Sequence, residues 1–243
     1  MNDAWQAAPD GYTIVNAGLP GPLINEKLFP VSYKTREFSH IFAWSRDNIC
    51  VVVNGEVFKN PRDFLDEVRE RTLTAGIVGF GNLSQIAGLS LADAAGFQPV
   101  HWRPFKSATE IITSLAGDHI DFAVTTVSSA KKMVEGGRLK VALVMSRERD
   151  PLFPQAPLPK DLGFNLTAMP VVHGALAPPG LPPAIADILT QVFARAVKEP
   201  AFVSWAKKAG VDLVPLDRGQ FLDYTAGMEK EIVKYFDKME IKR

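Results

Sequence analysis

Short apolar runs alternate with amphipathic stretches through the middle of the chain. Asn60 and Pro61, with acidic residues after them, mark a helix start. Apolar runs predict strands over residues 74–78, 99–102, 120–126 and 141–145. Helical spacing predicts helices over residues 84–95 and 109–115, and a further helix that opens with the hydroxyl residues after 124 and ends at residue 134. Such alternation of strand and helix is typical of a doubly wound α/β sheet.

The segments on either side are less regular. A short strand is predicted over residues 12–15, followed by a loop of small residues over 16–22 and an irregular stretch to residue 40. A single buried strand is predicted over residues 42–53. Beyond a proline-rich segment the pattern predicts strands over 169–177 and 211–214 and helices over 184–198, 200–209 and 218–239.

Two long apolar strands, residues 48–54 and 169–177, bracket the alternating block. A chain that leaves one lobe, builds a second and returns must cross twice, and these strands are the candidates for the crossings. We therefore expect an α/β protein of two lobes, each a helix-flanked sheet. The first lobe is predicted to comprise residues 1–53 and 171–243, and the second residues 54–170.

The most informative segment is glycine-rich and precedes a predicted helix. Gly79 and Gly81 lie in residues 79–82, here named the glycine loop, and can adopt positive φ while letting a ligand approach the backbone. Asn82 and Ser84 are good helix N-cap residues. A helix start offers unpaired N–H groups and the positive end of the helix dipole, so this segment suits an anion. The alternative interpretation is a turn that only caps the helix.

The two familiar phosphate motifs are not met. A P-loop requires Lys and then Ser or Thr after its last glycine, but Gly81 is followed by Asn82 and Leu83. The dinucleotide fingerprint requires a third glycine where Ser84 stands. A carboxylate needs fewer donors and no dedicated lysine, so it is the favoured anion. Hydroxyl donors are also grouped before another predicted helix, at Thr125, Thr126, Ser128 and Ser129, here named the hydroxyl cluster.

Composition narrows the class of protein. Hydrophobic residues make up 47% and charged residues 22% of the 243 residues, which is ordinary for a soluble globular protein. Lys+Arg 27 balances Asp+Glu 27, so there is no electrostatic case for nucleic acid or an anionic membrane. No apolar run has the length of a transmembrane helix, and no secretory signal peptide precedes Asp10.

Cofactor and metal chemistry find no support in the sequence. Cys50 is the only cysteine and lies in a continuous apolar run, so we expect buried packing rather than a nucleophile. The four histidines have no metal-ligand spacing. We therefore expect no metal, no cofactor and no catalysis.

Several different short motifs are distributed along almost the whole chain. They are Pro-Asp-Gly-Tyr-Thr at residues 9–13, Asn-Glu-Lys-Leu-Phe at 25–29, Arg-Pro-Phe-Lys at 103–106, Leu-Ala-Gly-Asp-His-Ile-Asp at 115–121, Gly-Arg-Leu-Lys-Val-Ala-Leu at 137–143 and Ala-Pro-Pro-Gly-Leu-Pro at 177–182. Together with the glycine loop, their order and spacing resemble the periplasmic solute receptors of tripartite tricarboxylate transporters, also called Bug-type receptors.

The resemblance implies a type II periplasmic-binding-protein-like fold whose two lobes close on a small carboxylate, and it implies membrane transporter subunits as partners. Periplasmic residence is implied by the resemblance alone. Matched residue by residue, the implied ligand contacts of the second lobe are Gly79, Phe80, Gly81, Asn82, Ser84, Thr125, Thr126 and Ser128. Ala17, Gly18 and Leu19 represent the first lobe. Arg103 and Lys106 are candidates for steering anions, although the pattern favours ordinary solvated surface charges.

The sequence departs from the family in two ways. Family members begin with a further strand and helix, for which this sequence has no counterpart, so we expect an incomplete first lobe. Such a lobe would expose strand edges and favour self-association, which makes an interaction or sensing module the alternative function. The family's usual serines are replaced by Ile77, Val78, Asn82 and Leu83, which gives a less hydroxylated pocket. An enzyme that uses the same cleft is a further alternative.

Overall fold

The computed structural model describes residues 1–239. Within that range the α-helices are α1 Asn2–Gln6, α2 Gly21–Leu28, α3 Pro61–Glu70, α4 Leu83–Ala95, α5 Ala108–Ala116, α6 Val127–Val134, α7 Pro183–Ala196, α8 Pro200–Ala209 and α9 Arg218–Val233. The strands are β1 Val15–Leu19, β2 Ser39–Asp47, β3 Ile49–Asn54, β4 Leu73–Val78, β5 Val100–Phe105, β6 Phe122–Thr126, β7 Leu139–Val144, β8 Val171–Ala177 and β9 Asp212–Leu216.

The chain divides into two compact units. Unit 1 comprises Met1–Asp47 and Val171–Lys234, and unit 2 comprises Asn48–Pro170 together with the described residues 235–239. None of the helices in residues 1–239 combines the length and the apolar run that crossing a bilayer requires.

Unit 1 is built on an antiparallel sheet. Among the described residues its strand order is β1-β8-β2-β9, and each neighbouring pair is antiparallel. Side chains of β8 alternate between two apolar clusters: Val172 and Leu176 join one, and Ala175 and Ala177 join the other. The sheet is therefore packed on both faces.

Unit 2 is built on a mixed sheet of order β5-β4-β6-β3-β7 in the described residues. Strand β4 is parallel to β5 and β6, whereas β3 is antiparallel to β6 and β7.

The predicted helix start at Asn60 is confirmed, because the Asn60 side chain accepts from the N–H groups of Arg62 and Asp63 and completes a capping box. In the first turns of α3, Phe64 packs edge-to-face on Phe122 of β6, with ring centroids 5.1 Å apart.

The N-terminal region differs from its prediction. The strand expected at residues 12–15 is instead β1 Val15–Leu19, and the stretch expected to be irregular contains α2. Strand β1 forms because it pairs with β8, from Val15 opposite Leu176 to Leu19 opposite Val172, which buries Leu19. That partner lies about 150 residues away in the chain, so the local pattern does not reveal it.

The predicted single strand over residues 42–53 is two strands in different units. Asn48 separates β2 from β3: its side-chain amide donates to Asp150 Oδ2 at 2.9 Å, and its carbonyl accepts from Val127 N–H at 2.8 Å. Asn48 and Asp150 are both buried. Residues 48–53 therefore lie in unit 2, not in the first lobe as predicted, because these polar contacts anchor Asn48 there.

The C-terminal boundary also differs from its prediction. The helix expected to reach residue 239 ends at Val233. Residues 235–239 belong to unit 2, where the Lys238 ammonium forms an ion pair with Asp93. Residues 240–243, which were predicted in the first lobe, lie outside the described residues.

A buried histidine links β2 to α9 in unit 1. His40 Nδ1 lies 3.0 Å from the Phe38 carbonyl oxygen, and Nε2 lies 3.0 Å from Thr225 Oγ1. Since a carbonyl only accepts, Nδ1 carries the proton. The Thr225 hydroxyl, which contacts Nε2, donates to the Phe221 carbonyl at 2.8 Å. Burial lowers the pKa of the His40 imidazole from its ordinary value, the hydrogen bond to Phe38 opposes this, and the Arg36 charge lowers it further.

We predict that this histidine makes stability fall in acid. Above pH of about 6.5 the ring is neutral in the folded and unfolded chains. As the pH falls below that value the unfolded chain binds the proton first, so the free energy of unfolding decreases until the folded ring also titrates. The slope from one group is at most about 1.4 kcal/mol per pH unit. Urea unfolding between pH 7.5 and 5 should show a weaker pH dependence in His40→Gln than in the wild type.

The exposed His101→Gln substitution controls for the removal of one histidine. Equal pH dependence in the wild type and His40→Gln would contradict the prediction.

Candidate functional site

Three helices of unit 2 begin along one edge of its sheet. Strands β4, β5 and β6 are parallel, so their carboxyl ends lie at the same edge. Helices α4, α5 and α6 follow those ends, with Asn82, Ser107 and Thr126 as N-caps. In the strand order β5-β4-β6 the glycine loop lies between the other two connections. The sequence-predicted site residues of the second lobe are therefore brought together at this edge.

The glycine loop takes the backbone conformation that its sequence allows. Gly79 has φ +70° and Gly81 has φ +67°, in the left-handed region that side chains disfavour. A Cβ on Gly79 would meet no atom within 4 Å, so this backbone is open to an approaching group. Between the two glycines, the Phe80 side chain is 46% exposed.

Side-chain and backbone hydrogen bonds hold the loop in place. The Gly79 N–H donates to the Phe105 carbonyl at 3.0 Å, which ties the loop to β5. The Asn82 amide donates to the Val78 carbonyl, while its oxygen accepts from the Gln85 N–H at 3.0 Å. The buried Gln85 side chain accepts from the Gly81 N–H at 2.9 Å. The first-turn N–H groups of Leu83 and Ser84 have no intrahelical acceptor and remain as donors at the start of α4.

The hydroxyl cluster lies at the end of β6, the strand next to β4. Thr126 Oγ1 lies 3.2 Å from Ser128 Oγ and 3.0 Å from Ser129 Oγ, and it accepts from the Ser129 N–H at 3.4 Å. Thr125 is buried in β6, opposite Cys50 of β3. The exposed Ser128 and the half-buried Thr126 therefore supply hydroxyl groups beside the glycine loop.

An open cavity of about 760 Å³ adjoins the glycine loop on the α5 side. It is lined by Val78, Gly79, Arg103, Pro104, Phe105, Lys106 and Glu110. The Arg103 guanidinium lies over the Phe105 ring, 5.4 Å from its centroid. A second cavity of about 850 Å³ lies on the opposite face of β5, where Trp102 packs on Gly88 of α4. Phe80 of the glycine loop and Gln85 line this second cavity. The 760 Å³ cavity instead includes Gly79 with Arg103 and Lys106, so we place the candidate anion site there and at the adjoining helix starts.

The sequence profile described as the tripartite tricarboxylate transporter family receptor, TctC, matches residues 1–237. The chain belongs to this family. A similar curated protein is the UPF0065 protein encoded in the TAR-I ttuE-ttuC' intergenic region of Agrobacterium vitis. It is 25% identical to this chain over 218 residues. That match covers 87% of this chain but 61% of the relative, so the chain spans about three fifths of that relative's length.

Solved structures establish the fold of this TctC-family chain. A TctC solute binding protein from Polaromonas matches with a TM-score of 0.82 at 20% identity, covering 98% of this chain and 82% of the other. MatC from Rhodopseudomonas palustris, solved with bound malate, matches with a TM-score of 0.73 at 23% identity, covering 97% and 82%. The predicted two-lobed periplasmic-binding-protein-like fold class is thereby confirmed.

The predicted contacts of the first lobe lie in β1 of the TctC-family chain. Ala17 and Leu19 are 2% and 0% exposed and point into the core of unit 1. Gly18 faces the other side of the sheet, where a Cβ would lie 3.1 Å from Val171 Cγ1 and 3.3 Å from His173 Cε1. Any ligand contact here would therefore come from backbone groups, and the assignment of these residues as contacts stays a prediction.

Gln85 is a residue that organises the loop and that the site prediction omitted. It stands three residues after the N-cap Asn82, and a Gln at that position is the sequence signature of a capping box. That signature could have drawn attention to it. In the TctC-family chain its side chain accepts from Gly81 rather than from the N-cap residue.

We predict that Gln85→Leu loosens the loop and destabilises unit 2. The leucine has similar bulk but leaves the buried Gly81 N–H without an acceptor, which costs about 1 to 3 kcal/mol. Urea unfolding measures the loss, and amide hydrogen exchange at Gly81 should accelerate. The same substitution at the exposed Gln191 of α7 is the control and should change stability by less than about 0.5 kcal/mol. Equal effects at the two positions would count against this role for Gln85.

Proposed function

We propose that the chain is a solute-binding receptor that captures a small carboxylate for a tripartite tricarboxylate-type transporter in the periplasm, without catalysis. One observation carries the proposal: three parallel strands bring the glycine loop, the start of α4 and the hydroxyl cluster to one edge of a sheet. The family to which the chain belongs is described as a transporter receptor, which supports the partner and the location.

The chemistry of this edge suits a carboxylate. An ionised carboxylate has two oxygens that accept several hydrogen bonds and donate none. The N–H groups of Leu83 and Ser84, together with the Thr126 and Ser128 hydroxyls, are donors of the required kind. A hydrogen bond to a charged group contributes about 1.5 to 3 kcal/mol, and the dipole of α4 adds about 0.3 to 1 kcal/mol. Malate, which is bound in the similar MatC structure, has this chemistry.

Receptor function is favoured over catalysis by the partners of the Thr126 hydroxyl. Its hydrogen-bonding neighbours are the Ser128 and Ser129 hydroxyls and a backbone amide. None of these groups is a general base at neutral pH, whereas an activated hydroxyl nucleophile requires one. Capture without chemical change is therefore the function that the site favours.

We predict saturable binding of at least one member of a panel of mono-, di- and tricarboxylates, including malate and aromatic acids. A ligand at 100 times its dissociation constant should raise the free energy of unfolding by about 2.7 kcal/mol, which a thermal-shift assay detects. Calorimetry on each hit gives the affinity, and NMR of the recovered ligand should show it unchanged. Thr126→Ala and Ser128→Ala each remove one of the donor hydroxyls and should each weaken binding about tenfold or more.

Two controls accompany these variants. Thr126 also caps α6, so Thr126→Ser, which keeps the hydroxyl, should retain most of the affinity. Ser204→Ala, on the exposed surface of α8, should bind as the wild type does. The proposal would be overturned if no acid of the panel binds, or if a bound acid is chemically converted.

Self-association through unit 1 is a second candidate behaviour that one observation favours. Among the described residues β1 is an edge strand without charged side chains, and Tyr12 and Ile14 before it are 93% and 44% exposed. Uncharged open edges pair readily with other strands. We predict a mass that rises with concentration in light scattering, and a monomer after Ile14→Lys. A wild-type mass that stays monomeric at high concentration would refute this prediction.

A further inference from the structure

Arg103 lines the cavity beside the glycine loop, with its guanidinium over the Phe105 ring. In the parallel pair β4 and β5, Gly76 lies opposite Arg103 and Val78 opposite Phe105. Arg103 stands two residues before Phe105 on the same face of β5, and its guanidinium lies 5.4 Å from the Phe105 ring centroid. The Phe105 carbonyl in turn accepts from the Gly79 N–H. The stacked guanidinium and the open glycine backbone therefore belong to one cavity.

The positive charge of this cavity is not neutralised by ion pairs. Within residues 1–239, neither Arg103 nor Lys106 forms an ion pair with an acidic side chain. Glu110 is the acidic residue of the lining, and its Oε2 accepts from the Lys106 backbone N–H at 3.0 Å. Two cations against one engaged carboxylate leave the cavity with a net positive charge.

We infer that Arg103 is a specificity-determining residue that binds a second carboxylate of the ligand. This inference rests on the proposed function, in which the start of α4 and the hydroxyls of Thr126 and Ser128 hold the first carboxylate. One helix start satisfies one carboxylate, so a second charged group on the same ligand requires a donor set of its own. Arg103 is the group in the cavity that provides one.

Arg103 fits this role better than Lys106 does. A guanidinium presents several N–H donors in a planar fork that matches the two oxygens of a carboxylate. The Arg103 guanidinium carbon lies over the Phe105 ring, and a cation–π contact of this kind uses none of the guanidinium N–H donors. The Lys106 ammonium is a point charge on a flexible stem and attracts anions without that geometry.

The test compares matched acids on wild-type protein and Arg103→Gln by calorimetry. Each α,ω-dicarboxylate from succinate to adipate is paired with the monocarboxylate of the same carbon number, from butanoate to hexanoate. We expect the wild type to prefer a dicarboxylate over its partner by about five- to tenfold. Arg103→Gln should remove that preference by weakening dicarboxylate binding about five- to tenfold, while monocarboxylate affinity stays within about twofold.

Arg62→Gln is the control, since it removes one exposed positive charge from the same unit, at the start of α3. It should retain the dicarboxylate preference, which separates direct contact from the general electrostatic field of the unit. Arg103→Lys should recover only part of the preference, because the planar fork is lost.

The outcomes separate this inference from the proposed function. The role of Arg103 is overturned if the wild-type protein shows no preference for dicarboxylates. It is also overturned if Arg103→Gln lowers the affinity for both acids of a pair equally. Neither outcome contradicts carboxylate binding by the proposed site. A wild type that binds none of these acids, nor any other acid of the wider panel, overturns the proposed function and this inference with it.

Discussion

The candidate site depends on the parallel alignment of β4, β5 and β6. Parallel neighbours cannot be joined by a tight hairpin, so a helix returns the chain after each strand. The helices α4 and α5 accordingly begin at the edge where β4 and β5 end, and α6 begins directly after Thr126. An antiparallel strand in place of β4 would open its loop at the opposite edge. The convergence of helix starts is thus a result of topology, before any side chain is chosen.

The glycine loop uses part of its polar groups to fix its own shape. The Gly79 and Gly81 N–H groups are taken by the Phe105 carbonyl and by Gln85, and the Asn82 side chain bridges the loop to α4. The N–H groups of Leu83 and Ser84 in the first helical turn remain as donors. A loop that is already ordered loses little entropy when a ligand arrives, so fewer direct contacts are needed for a given affinity.

The sequence predicted the features that depend on adjacent residues and missed those that depend on distant partners. Asn60 with Pro61 marked α3 correctly, and the glycines at residues 79 and 81 marked a loop at a helix start, because each signal depends on a few adjacent residues. Strand β1 was mistaken for a loop because its strand character comes from pairing with β8. The break at Asn48 was missed because the polar residues 45–48 were read as part of one strand and the anchor, Asp150, is far along the chain. At the site, the positions of Gly81 and Thr126 were predictable, whereas the support that Gln85 gives to the loop depends on where its side chain folds back.

The discontinuity of unit 1 has a consequence for the order of events during synthesis. Strand β8 lies between β1 and β2 in the sheet, yet the whole segment Asn48–Pro170 is translated after β2 and before β8. At ribosomal rates of about 5 to 20 residues per second, those roughly 120 residues take on the order of ten seconds to emerge. During that interval β1 and β2 lack the strand that joins them, while most of unit 2 is already complete. The nascent chain therefore depends on its inserted unit to fold first and on its surroundings to shield the two waiting strands.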